Sequence, residues 1–333
     1  MEVIQYLVSQ GADIHATAKY GWTPLRNAAS EQPVEVLQYL ISQGANVDTK
    51  EDNGRTLIHT AAGGNSVEVL QYLVSLGADV LAKTEDGDTP LHDAAGYNDD
   101  VDVLQYLVSL GADVHAKDHE EWTPLCKAAQ YNESVEISKY LVSQGTDVNV
   151  KTDKGSSPLH IASASYKSNV AEVIRFLISQ GADVHAKDNE GKMPIHGATT
   201  SWGSPTMYIQ ILVSHGADIH AKDNKGRMPI HEAIHRFDKA IIELLVSLGA
   251  DVNARDEDGK TPLHYAAESE SDDRYYTNRY IPFLVSHGAD ILAKDKDGKT
   301  PLDAAKDNGY TECVEYFESV IGEQKMNPSE PAA

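Results

Sequence analysis

Apolar residues in this chain fall into two alternating kinds of block. In E-V-L-Q-Y-L-V, residues 68–74, Val69, Leu70 and Leu73 recur at helical spacing. Gly77 follows, a residue that tolerates the left-handed conformation at a helix end, so the segment predicts a helix stopped there. The same run returns at Val103–Val114. The second kind of block is shorter, as in T-P-L-H-D-A-A at Thr89–Ala95 and T-P-L-H-Y-A-A at Thr261–Ala267. A proline in the first turn loses no helical hydrogen bond, the Thr before it can cap, and the alanine pair lets a neighbouring helix approach closely. Copies stand at Ser157–Ser163, Met193–Thr199 and Met228–Ile234, with looser ones at Thr23–Ala29, Thr56–Ala62, Thr123–Ala129 and Thr300–Ala305. D-x-D-G stretches such as Asp256–Gly259 and Asp295–Gly298 predict turns between units.

Spacing between successive G-A-D motifs is 33, 33, 34, 34, 36, 35, 33 and 39 residues. Self-similarity at this period predicts an all-α solenoid of helix-turn-helix repeats. The T-P-L-H-x-A pattern at this length resembles the ankyrin repeat family, and the resemblance covers residues 1–320. It implies β-turn or hairpin fingers joining pairs of antiparallel helices, and protein binding through the fingers and first helices on a concave face. Residues 1–16 read as the second half of a repeat, which suggests a truncated chain. Residues 17–293 form eight repeats, 294–321 a capping repeat, and 322–333 an aperiodic, disordered tail. Departures from the pattern are Leu57 for proline, Glu121 for the finger glycine, and Arg26, Cys126 and Asp303 for histidine. The Glu121 finger is expected to deviate most in turn geometry.

Relative to 33 residues, the Asp93, Lys127, Ile161, Gly197 and Tyr265 units carry 1, 1, 3, 2 and 6 extra residues, all between first and second helices. The longest insertion, Glu268–Thr277, is acidic and then aromatic. Insertions on one edge of a solenoid fit either a binding edge or tolerated loop slack.

The chain carries 28 basic and 51 acidic residues, a net charge of -23. That field argues against nucleic acid and anionic membrane as partners. Two cysteines, Cys126 and Cys313, lie too far apart in a stack to bridge, which suits a reducing, cytoplasmic setting. No signal segment and no apolar run of membrane-spanning length is present in the sequence.

Histidines recurring in the P-L-H slot (His59, His92, His160, His196, His231, His264) imply a structural hydrogen bond within each unit, not a metal site. The D-x-D-G turns lack the glycine and glutamate spacing of a calcium loop. No nucleophile, phosphate-loop or metalloprotease motif stands out, so no catalytic residue, metal or cofactor is expected. Aromatics in one second-helix slot (Tyr6, Tyr39, Tyr72, Tyr106, Tyr140, Phe176, Phe283, Tyr316) suggest a ladder stacked between units.

Partner-binding candidates are aromatics outside those repeated slots. Tyr20, Trp22 and Trp122 stand on fingers, Tyr97 and Tyr131 just past the first helices, and Tyr166, Trp202, Tyr275 and Tyr276 in insertions. Tyr97, Trp122 and Tyr131 form the preferred hot spot, Trp and Tyr being favoured anchors. Asp88 shares the finger slot of Trp22 and Trp122, which becomes Lys192, Arg227, Lys260 and Lys299 in four later units. That cationic row either grips an acidic partner or pairs with the finger carboxylates Asp188, Asp223, Asp256 and Asp295. The reading is a monomeric, non-catalytic module that binds a protein or peptide. Its alternative is a spacer arm of a larger polypeptide.

Overall fold

In the computed structural model, residues 1–167, 170–236, 238–268 and 277–326 are described. The side chains of residues 277–279 and 324–326 are left aside. The chain divides into two compact units, Met1–Ala182 and Asp183–Ala333. In the first, α1 (Glu2–Ser9) precedes five helix pairs: α2 (Pro24–Glu31) with α3 (Val34–Ser42), α4 (Leu57–Gly64) with α5 (Val67–Ser75), α6 (Pro90–Tyr97) with α7 (Val101–Ser109), α8 (Pro124–Tyr131) with α9 (Val135–Ser143), and α10 (Pro158–Ala164) with α11 (Ala171–Ser179). In the second, α12 (Pro194–Thr200) pairs with α13 (Pro205–Ser214), α14 (Pro229–Ile234) with α15 (Lys239–Ser247), α16 (Pro262–Glu268) with α17 (Thr277–Ser286), and α18 (Pro301–Asp307) with α19 (Thr311–Met326). Helix α19 runs past Gly322 into the segment read as a tail, and residues 327–333 lie outside the described residues. Tyr275, Tyr276 and most of the longest insertion lie outside them too.

First helices stack on first helices (α2 on α4, α4 on α6, α6 on α8) and second helices on second helices. Ala94, Ala95, Ala128 and Ala129 are fully buried between them, as are Leu70, Leu104 and Leu107. Aromatics of the second-helix slot do not stack. They are half-buried at Tyr39, Tyr72, Tyr106 and Tyr140, and no ring contact joins any two of them among the described residues.

Histidines of the P-L-H slot join repeats as well as capping helices. The hydroxyl and backbone N–H of Thr89 converge on His92 Nδ1 at 2.9 and 3.1 Å, while His92 Nε2 donates to the Trp122 carbonyl at 3.0 Å. His59, His196 and His264 make the same pair of bonds, their Nε2 atoms reaching the carbonyls of Asp88, Arg227 and Lys299. With both ring nitrogens committed, these side chains have none left for a metal.

A second ladder has no counterpart in the sequence reading. Asn65, Asn98 and Asn132, each just past a first helix, donate from Nδ2 to two carbonyls of the preceding repeat. Asn132 is 2 % exposed and its bonds to Ala95 and Asn98 measure 3.1 and 2.8 Å. Asn132→Ala strands both carbonyls and is expected to cost about 1–3 kcal/mol in urea unfolding. An unchanged midpoint would show that water takes the amide's place.

Fingers close on themselves, and within each unit successive fingers are joined by backbone bonds, from Asn53 to Glu85, Asp86 to His119 and Glu120 to Asp153 in the first, and from Glu190 to Asn224, Lys225 to Glu257 and Asp258 to Lys296 in the second. Thr84 N–H donates to the Asp88 carbonyl at 3.0 Å, and His119 N–H to the Asp86 carbonyl of the preceding finger at 2.8 Å. Gly87 permits both, with φ 87° and a position where a Cβ would come within 3.1 Å of His119 N. Glu121 occupies the equivalent place with φ 61°. Contrary to expectation, the turn is kept: Asp118 N–H still donates to the Trp122 carbonyl at 3.0 Å, and Asp153 N–H to Glu120 at 3.1 Å. The neighbouring fingers hold the geometry, and Glu121 bears the strain while paired with Lys117. Glu121→Gly is therefore expected to raise stability by about 0.5–1 kcal/mol, read as a higher Tm.

Candidate functional site

Tyr97 and Tyr131, at the ends of α6 and α8, stack with ring centroids 5.3 Å apart and planes 26° apart. Tyr97 remains 56 % exposed. Burial first, then Tyr131 and Asp93, push the Tyr97 hydroxyl above the usual tyrosine range, so it stays a neutral donor. Gly63 and Gly96 lie beside the pair. A Cβ at Gly63 would meet Asp93 and Tyr97 at 3.7 Å, and one at Gly96 would meet Lys127 at 3.5 Å, both ordinary contacts. Packing therefore does not demand glycine there, though glycine in a helix costs ~1 kcal/mol relative to alanine. Gly63 is half-buried and Gly96 buried, so no side chain at either position stands against the tyrosine rings.

Under this surface lies a charge network. Lys127, one turn before Tyr131, bridges Asp88 and Asp118 at 2.9 Å each, and its ammonium stands 5.5 Å from the centre of the Trp122 ring. Burial opposes its charge, but hydrogen bonds to the two aspartates more than offset that and hold it above the usual lysine range. Arg55 reaches across from the finger before α4 to Asp93, 2.5 Å away. Asp93 is 2 % exposed, and its Oδ2 has no hydrogen-bond partner. Burial pushes its carboxyl up to about 7, against the pull of Arg55. Asp93 and Lys127 share the x position of P-L-H-x-A-A in adjacent units, and opposite charges there were the available signal for this network.

The remaining candidates are dispersed. Trp22 forms its own cluster, with Arg26 over its ring at 3.9 Å and Glu51 accepting from its Nε1 at 3.2 Å. Tyr166 is exposed beside Lys167. Trp202 is 79 % exposed in the second unit, with the Arg236 guanidinium 3.7 Å over its ring. No ring contact joins Trp122 to the tyrosine pair among the described residues; its ring faces the Lys127 ammonium instead.

The cationic row pairs differently from the sequence expectation. Asp188, Asp223, Asp256 and Asp295 accept from the backbone N–H groups of Lys192, Arg227, Lys260 and Lys299 at 2.8–2.9 Å. With the finger carboxylates turned to the backbone, only Arg227 also pairs with its own, Asp223, at 2.8 Å. Lys192 pairs with the finger carboxylate Glu190 at 3.1 Å and stands 3.8 Å from Glu232 of α14, while first-helix carboxylates take the others: Glu232 for Arg227, Glu268 for Lys260, and Asp307 for Lys299.

Among the described residues no cluster of three or more His, Cys, Asp or Glu could hold a metal ion, and no helix is long and apolar enough to cross a membrane. Cys126 is buried, and burial raises its thiol above the usual range.

Stacked helix pairs, bonded fingers and capping histidines define a repeat protein of the helical solenoid class. The family model described as ankyrin repeats (3 copies) matches residues 1–84, 35–118, 91–188, 163–256, 195–295 and 256–325, and the chain belongs to the ankyrin repeat family. Such repeats are generally protein–protein interaction modules and typically not enzymes. No curated protein matches the sequence.

Proposed function

We propose that the chain binds a protein or peptide without catalysis, on the finger and first-helix surface of the Met1–Ala182 unit. The observation that carries this reading is the Tyr97–Tyr131 stack, exposed beside two glycines that packing does not require. Tyrosine offers a large amphipathic face at small entropic cost, and such residues dominate measured interface energies. The charged groups beneath are mutually paired, so the floor is rigid before a ligand arrives, and little ordering is needed on binding. Trp122, held by Lys127, extends the contact towards the fingers. Cytoplasmic residence and a monomeric state are part of the same proposal.

Affinity capture from a native lysate tests it, comparing the intact chain with a Tyr97→Ala, Trp122→Ala, Tyr131→Ala variant. Loss of the three hot-spot side chains is expected to weaken retention of any captured protein at least ~30-fold, the equivalent of ~2 kcal/mol. Equal capture by both forms would discard this surface and favour the spacer reading.

A further inference from the structure

The two tyrosine-bearing repeats differ from the one before them at a second place. Only Ser66 separates the ladder residue Asn65 from α5. After Asn98 and Asn132 two residues intervene, Asp99–Asp100 and Glu133–Ser134, before α7 and α9 begin. The residue following the ladder asparagine is therefore a carboxylate in both, two positions past Tyr97 and Tyr131. Asp100 caps α7, accepting from Asp102 N–H at 3.0 Å, and Glu133 lies 3.7 Å from Lys167. Asp99 is exposed, and among the described residues no ion pair or hydrogen bond engages its side chain. Packing gives it no task.

The cations of this surface are already engaged in its floor. Arg55 pairs with Asp93 and Lys127 bridges Asp88 and Asp118, so two cations meet three carboxylates. Across the Met1–Ala182 unit, 25 acidic residues stand against 12 basic ones. A ligand arriving at the tyrosines thus meets an exposed ring, a carboxylate without a partner and a background of negative charge.

We propose that the tyrosine stack receives an arginine side chain of a partner protein or peptide, its guanidinium lying on the exposed face of Tyr97 and donating to Asp99. This rests on the reading of the surface as a binding site and specifies its ligand. The face of an aromatic ring is its negative pole, so it attracts a cation. Guanidinium fits better than ammonium, because its flat, weakly hydrated plane stacks on a ring while its edge donates to a carboxylate. An acidic segment would meet like charge on every side. The acidic field of the unit also steers a basic segment inwards, so salt should slow its arrival.

The test titrates the full chain into a dye-labelled peptide of alternating glycine and arginine and reads anisotropy. A matched peptide carries citrulline, the uncharged analogue, at every arginine. Saturable binding of the arginine peptide is expected, at least ~10-fold tighter than that of the citrulline one. Tyr97→Ala should weaken it ~3–5-fold, the effect of one exposed cation–ring contact, while Tyr97→Phe keeps the ring and the affinity. Asp99→Asn should weaken it ~2–5-fold, and its side chain is too exposed to govern folding. Glu35→Gln, an equal charge change at an exposed position of α3, should leave it unchanged, which separates the site from the diffuse acidic field. Proteins captured from a lysate should be released by the arginine peptide and retained in the citrulline one. Capture that depends on the tyrosines yet resists the arginine peptide overturns the arginine assignment and leaves the binding surface standing. Capture indifferent to the tyrosines removes both. No saturable binding, equal binding of the two peptides, or binding that ignores both Tyr97→Ala and Asp99→Asn overturns the proposal as well.

Discussion

Arg55→Ala is expected to destabilise the first unit by about 3–5 kcal/mol at pH 8, the range for breaking a buried ion pair. The Arg55–Asp93 contact is 2.5 Å, and the Asp93 side chain is 3 % exposed, so removing the guanidinium leaves a carboxylate with neither water nor cation. A carboxyl can escape by taking a proton, which gives the effect a pH signature. Burial already lifts the Asp93 carboxyl from 3.8 to about 7 with Arg55 present. A group raised in the fold adds stability that is complete below 3.8 and is lost as pH rises through about 7. The penalty of Arg55→Ala should therefore shrink between pH 8 and pH 6, because the variant protonates Asp93 more readily still. Adding Asp93→Asn should recover most of the loss at pH 8, since the amide can be buried without charge. Urea titrations of the unaltered chain, Arg55→Ala and the double variant at both pH values check this. A penalty that is flat with pH would mean that Asp93 stays ionised and finds another donor.

Acid should loosen the structure well above the pH at which carboxylates ordinarily titrate. Burial lowers His59 from 6.5 to about 4, and it lowers His92, His196, His231 and His264 in the same direction. The cause is geometric as well: Nδ1 of His59 accepts from Thr56 and Nε2 donates to Asp88, so a second ring proton has no acceptor. Between pH 6.5 and about 4 the unfolded chain binds the proton and the folded chain does not. Stability from His59 is thus complete above 6.5 and disappears as pH falls through about 4, a loss of roughly 3 kcal/mol. Asp93 works in the opposite sense over much of the same interval, so the acid dependence should steepen in Asp93→Asn. Imidazole NMR titration reads the sites directly. An Nε2–H tautomer persisting at pH 5 is expected, and a His59 titrating near 6.5 would sink the assignment.

Much of the architecture was legible because the relevant physics is local. The caps at Thr89 and Thr123, the stops such as Gly77, and the buried faces of Val69, Leu70 and Leu73 depend on neighbours a few residues away. What crosses from one repeat to the next was not legible. The histidine slot showed a repeated role within a unit, but nothing near His92 in the chain points to the Trp122 carbonyl. The asparagine ladder was missed for the same reason. Lys192 and Lys260 do not pair with Asp188 and Asp256, because those carboxylates accept from the backbone; Lys192 takes Glu190 of the same finger and Lys260 takes Glu268 of α16. At the surface, the aromatic character of Tyr97 and Tyr131 was evident, while their mutual stacking and the network beneath them depend on packing between α6 and α8.

The bonds between fingers bear on how such a chain can vary in length. The backbone rung from Asn53 to Glu85 spans 32 residues, and the rung from Asp258 to Lys296 spans 38, yet the bonds measure 2.9 and 2.8 Å. Extra residues are absorbed between the paired helices, so the finger edge keeps a constant stride while the sequence period wanders. In effect one edge of each repeat is metered by hydrogen bonds, and the interhelical loops are left unmetered. A mutation that lengthens the chain by one residue has a harmless address and a harmful one within every repeat, about a dozen residues apart.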